Sequence, residues 1–187
     1  MAALAGRPWR DVGPQLPKDL IARAVREPLL RSEALQPWRM SGSCAHQAEI
    51  GRCILRDRFG VDATIVVGDL MTPIGGDRHH TYTRDDGRIR VEAGAYHAWL
   101  ILTDGSYADF AAWELPARME RQGLAWTGSR PDYLWDTPAQ LRALGYFDTI
   151  DRAASIEVTS DLAKGKDEEF LALYLRDALA VLDRYSA

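Results

Sequence analysis

The sequence predicts an α+β fold in which a central helix with a cysteine at its tip packs against an antiparallel sheet. Three stretches predict it. Ser43-Cys44 through Phe59-Gly60 has helical spacing of apolar residues. Tyr96 to Phe110 reads as two strands around Thr103-Asp104-Gly105, a three-residue turn with glycine in the bulge position. Lys166 to Tyr185 is an amphipathic helix whose apolar residues include Phe170, Tyr174, Ala178, Val181 and Leu182.

The length, 187 residues, suits a single domain over 1–187, with a core at about 41–110 between an N-terminal helical arm and a C-terminal helical extension. A hydrophobic content of 47% is enough for a core. The net charge is −4 with both signs mixed along the chain, which argues against a nucleic-acid surface. No apolar run approaches a membrane span. Arg7 and Arg10 have no apolar stretch after them, so they do not make a secretory leader. Cys44 and Cys53 lie on opposite faces of one helix, roughly 13 Å apart along its axis, too far to bond to each other. A reducing, cytoplasmic location fits, with export by a leaderless route as the alternative.

In chain order, Met1 to Leu16 is an irregular arm. A helix begins at Lys18 and runs to about Ser32, with Pro28 placed to kink it. Glu33 to Met40 is a connection carrying Gln36, Pro37 and Trp38. In the next helix Ser43 is the expected N-cap, its hydroxyl accepting from a backbone N–H, and Cys44 takes the first helical position. The helix dipole favours a thiolate there. Gly60 ends the helix. Cys44, Ala48, Gly51, Leu55 and Phe59 share one face; Ile50, Cys53 and Ile54 form a second apolar strip, so Cys53 is expected in the core.

Val61 to Val67 is a β-branched strand stopped by Gly68, and Met71 to Gly75 a loop. His80–Arg84 and Arg88–Glu92 flank Asp85-Asp86-Gly87, a hairpin signal with polar arms, expected as an exposed flap beside the site. The strands Tyr96–Leu102 and Ser106–Phe110 pair Leu102 with Ser106 and Trp99 with Asp109, so His97, Trp99 and Asp109 share a face. Further on, Pro116 to Gln122 is a helix and Leu124 to Thr127 a short strand. Thr137 caps a helix with Pro138 at its first position, running to about Leu144. Ile156 to Thr159 reads as a strand.

A helix-starting cysteine, a histidine on a later strand and an aspartate on its partner form a nucleophilic arrangement. The imidazole handles the thiol proton, and the carboxylate orients the imidazole. The helix N-terminus offers N–H groups to an oxyanion. His46, two positions past Cys44, points elsewhere. His79 and His80 point to opposite faces of a strand and lack accompanying ligands, so no metal is expected. Without a phosphate loop or nucleotide fingerprint, no cofactor is expected either.

These residues resemble the transglutaminase-like superfamily of the wider papain-like group. The resemblance rests on Cys44-Ala45-His46-Gln47-Ala48, on Phe59 to Gly68, on His97-Ala98-Trp99 and on Asp109-Phe110, where Phe110 stands in place of the family's proline. It covers Ser41 to Phe110. It implies a papain-like core and a thiol enzyme using Cys44, His97 and Asp109. The reaction it implies is an amide or acyl transfer on a peptide or protein substrate, by a peptidase, amidase, deamidase or transglutaminase-like enzyme. Gln36, preceding the cysteine, and Trp99 are candidates for the substrate cleft. The alternative is an inactive relative that binds a peptide or partner in the old cleft. The residues do not define an oligomeric state.

Overall fold

The computed structural model describes residues 16–33, 35, 43–75, 78–81, 89–121, 123, 125–127, 130–165 and 167–185. Its elements in order are α1 (Lys18–Arg31), α2 (Cys44–Phe59), β1 (Ala63–Gly75), β2 (Arg78–His80), β3 (His97–Leu102), β4 (Tyr107–Asp109), α3 (Leu115–Arg121), β5 (Leu134–Asp136), α4 (Pro138–Ala143), β6 (Phe147–Ile150), α5 (Arg152–Ala163) and α6 (Glu168–Tyr185). All strand pairs are antiparallel. The sheet order is β2-β1-β3-β4-β5, with β6 added on β1. The chain is therefore an α+β protein, and α2 packs on β1 and β3.

The sheet separates two apolar layers. Ile65 and Val67 of β1 and Ala98 and Leu100 of β3 meet α2, α1 and α6 in the larger one. Leu70, Ile74 and Leu134 meet Leu115 and Met119 of α3 and Leu141 of α4 in the smaller one. Period-two alternation along the strands sends successive side chains to the two layers.

The hairpin that carries His97 and Asp109 has the expected register. Leu100 lies opposite Ala108 and Ile101 opposite Tyr107. The Leu102 N–H donates to the Ser106 carbonyl at 2.9 Å, and Gly105 takes φ 80°. That left-handed turn residue, cheap only for glycine, decides which face Asp109 occupies.

Several other expectations need correction. β1 does not stop at Gly68 but runs on through the expected loop to Gly75. Gly68 is there because two neighbours crowd it: an added Cβ would lie 1.9 Å from the Thr149 carbonyl oxygen and 2.9 Å from the Trp99 ring. It pairs with His97 on one side and Ile150 on the other. Ile156 to Thr159 is not a strand; it lies inside α5. Asp151 caps that helix by accepting from the Ala154 N–H at 3.0 Å, and Ala154 and Val158 are buried, so capping and packing override β propensity. Residues 125–127 are not a strand either, although Thr127 N–H donates to the Ile74 carbonyl. Residues 89–92 are not an extended arm: Arg90 bridges to Ala95 around a turn at 91–94, closed by Gly94 at φ 62°. Residues 82–88 of the flap lie outside the described residues. α1 includes Pro28 within its span, and β5 and β6 are too short to carry a readable sequence signal.

Gly51 sets how closely α2 approaches the hairpin. A Cβ there would sit 2.1 Å from Cε2 of Phe110. Phe110 is thus the plug that seats the end of β4 on α2. Gly51→Ala is expected to cost about 1–3 kcal/mol through overpacking, despite alanine's better helix propensity. Urea unfolding checks this; a neutral or stabilising change would refute the close approach.

Candidate active site

α2 begins at Cys44 and ends at Gly60, whose φ of 64° gives the expected left-handed cap. Ser43 precedes it, but its hydroxyl makes no capping bond to the helix, contrary to expectation. It donates instead to Glu114 Oε1 at 2.7 Å. Cys44 is 7% exposed.

His97, the first residue of β3, is fully buried. Its Nε2 lies 2.7 Å from Asp109 Oδ2 across the hairpin. Cys44 interacts electrostatically with the same ring. Asp109 is itself fixed, because the Ala111 N–H donates to its Oδ1 at 2.9 Å. The fold thus brings Cys44, His97 and Asp109 together from three elements. Trp99 joins them, its ring stacked on His97 with centroids 5.9 Å apart and planes 25° apart. It is buried, and its far edge packs over Gly68. Gln36 lies outside the described residues.

Burial of His97 opposes its charge, but the charge and hydrogen bond of Asp109, joined by those of Cys44, outweigh it and raise the imidazole to about 10. The pair therefore favours an imidazolium.

The other histidines and the second cysteine have separate roles. His46 Nε2 lies 3.0 Å from Asp167 Oδ2, and its ring meets Phe170 edge-on, so it ties α2 to the start of α6. His79 lies edge-on to Phe147. Among the described residues no group of histidines, cysteines and carboxylates is placed to hold a metal. Cys53 is half-buried rather than a core residue, and lines a cleft between α2, α5 and α6. Burial and the nearby Glu49 push its thiol up to about 11. Trp126 and Trp135 are buried.

Sequence reasoning missed a polar cluster under the start of α2. Gln47 Nε2 donates to Glu114 Oε1 at 2.7 Å and to Ser43 Oγ at 2.8 Å, and Trp113 Nε1 donates to Gln47 Oε1 at 3.0 Å. Glu114 comes from a 3-10 turn, Ala112–Glu114, after β4. No local pattern links it to Ser43, because only the fold brings them together.

No family model matches the chain, and no curated protein matches it. One solved structure, a structural-genomics crystal structure whose name states no activity, is similar to it. That structure is 15% identical, covers 89% of this chain and 77% of its own, and has a TM-score of 0.57. At that identity the likeness is one of fold alone. Among the described residues no helix is long and apolar enough to cross a membrane.

The raised imidazole has a stability consequence whose sign follows from linkage. A group whose folded pKa lies above its unfolded value binds its proton more tightly when folded. Its contribution is therefore full below about 6.5 and is lost as pH rises through about 10. Asp109→Asn should lower unfolding free energy at pH 6 by about 3 kcal/mol, the scale of a broken buried pair. The gap between the two proteins should narrow steadily above pH 6.5. Urea titrations at pH 6, 8 and 10 read it, and a constant gap would contradict the charged pair.

Proposed function

We propose that this protein is a cysteine-dependent amide- or acyl-transfer enzyme of the transglutaminase-like, papain-like type, with Cys44 as nucleophile, His97 as acid and base, and Asp109 as the group that orients His97. The observation that carries the proposal is the buried His97 ring, held by Asp109 at 2.7 Å and coupled electrostatically to a cysteine at a helix N-terminus.

The chemistry follows from those contacts. The Cys44 thiolate adds to the carbonyl carbon of a peptide amide. The oxygen becomes an oxyanion, which the N-terminal end of α2 favours electrostatically. Collapse expels the amine, which takes the proton held by His97, and leaves a thioester on Cys44. Water or a second amine then attacks the thioester, giving its proton to His97 and restoring the thiolate. Asp109 keeps Nε2 engaged throughout and so holds the imidazole in one orientation. Hydrolysis and amine transfer share the acyl-enzyme and differ only in the second nucleophile. The substrate class is a peptide or protein.

The enclosure of the site favours a second reading. With Cys44 7% exposed and His97 buried, a module that binds a peptide or partner without turnover is the competing proposal.

Thiol labelling separates the two. With Cys53 raised to about 11, its thiolate is scarce at neutral pH. Iodoacetamide at pH 7 should label Cys44 more than about tenfold faster than Cys53. Peptide-library screening with mass spectrometry should trap an acyl adduct on Cys44. Cys44→Ala should abolish turnover while keeping the fold. Asp109→Asn should lose less, roughly a hundredfold, the scale of a misoriented base. Equal, slow labelling of both cysteines with no adduct would leave the binding module.

A further inference from the structure

The cluster under the first turn of α2 is fully interlocked. Trp113 Nε1 can only donate, so it fixes the Gln47 amide with Oε1 toward the indole. That turns Nε2 toward Ser43 Oγ and Glu114 Oε1. The Ser43 hydroxyl accepts from Gln47 and gives its own proton to Glu114. Ser43 and Gln47 are buried, and both donors that converge on Glu114 are neutral. The residue that would ordinarily cap the helix is thereby held off the helix end beside Cys44.

Glu114 reaches this position through Asp109. Asp109 Oδ1 accepts from the Ala111 N–H, and the Ala111 carbonyl accepts from the Glu114 N–H at 3.0 Å. One carboxylate thus orients His97 and starts the turn that delivers a second carboxylate to the same site. Glu114 interacts electrostatically with His97, with Asp109 and with Tyr174 of α6. His97 also interacts with Asp109 and Cys44, while Tyr96 and Tyr146 interact electrostatically with Cys44 and Asp109 respectively.

We propose, building on the reading of Cys44 as nucleophile, that Glu114 is a positioning residue: it clamps the first turn of α2 through Ser43 and Gln47, and supplies His97 with a second negative charge beside that of Asp109. The charge matters because the site must hold an imidazolium in a buried place, where a nearby carboxylate offsets lost hydration. Burial raises the Glu114 carboxyl; its bonds from Ser43 and Gln47 and the charge on His97 oppose that rise, and Asp109 adds to it. Glu114 loses this influence on His97 when it protonates.

The test uses Glu114→Gln, whose amide oxygen can still accept from both Ser43 and Gln47 while the charge is gone. The chain has four histidines, so ring-labelled histidine NMR resolves His97. The His97 titration midpoint should fall by roughly one pH unit, the scale of one nearby charge in a protein. Glu114→Asp, which keeps the charge, should restore most of it. An unchanged midpoint in a folded Glu114→Gln protein would reduce Glu114 to a structural clamp and overturn the proposal. If that variant does not fold, the wild-type protein decides. The His97 ring carbon must then show an inflection at the pH where the Glu114 carboxyl carbon titrates, and its absence overturns the proposal. Equal labelling of Cys44 and Cys53 would defeat the enzyme reading while leaving this titration result standing.

Discussion

The His97–Asp109 bond is the contact on which the rest of the site depends. It is buried, spans the β3–β4 hairpin and joins an imidazole to a carboxylate at 2.7 Å. A charge pair in such a place is costly unless its geometry is good and its other atoms are satisfied. Here Asp109 spends its second oxygen on the backbone of Ala111. Trp99 stacks on the imidazole and limits its rotation. The hairpin turn, with Gly105 left-handed, is the local feature that lets the two side chains meet.

Two close approaches then bring the helix to the hairpin. Gly51 admits Phe110 against α2, and Gly68 admits Trp99 and β6 against β1. In both cases the absence of a side chain transmits position: a β-carbon would move the sheet relative to the helix end that carries Cys44. The larger apolar layer, with α1 and α6 behind α2, holds this arrangement from the other side. Burial of that layer is a non-directional drive; the glycines and the polar contacts decide where the helix end stops.

The cluster of Ser43, Gln47, Trp113 and Glu114 changes how the start of α2 is understood. A serine before a helix ordinarily satisfies one of the helix's own N–H groups. This one serves a distant carboxylate instead. The helix end consequently depends on the turn after β4, so α2 and the hairpin are coupled through polar contacts as well as through Phe110.

The sequence by itself determined the parts of the protein that obey local rules. Apolar periodicity placed α1, α2 and α6; Thr137-Pro138 placed α4; and Thr103-Asp104-Gly105 set the register that puts His97, Trp99 and Asp109 on one face. Those signals lie within a few residues of the structure they specify. The tertiary structure alone decided the rest. Gly68 looks like a strand end but is a crossing point, since its role comes from Thr149 and Trp99. Ile156 to Thr159 looks like a strand but is helical, since Asp151 caps it and the core takes Val158. β5 and β6 are too short to carry a pattern and exist because a neighbouring strand offers its backbone. Ser43 looks like a cap but bonds to Glu114 far along the chain. In each case the deciding partner is remote in sequence, and the energy of meeting it exceeds the local preference that the residues express alone.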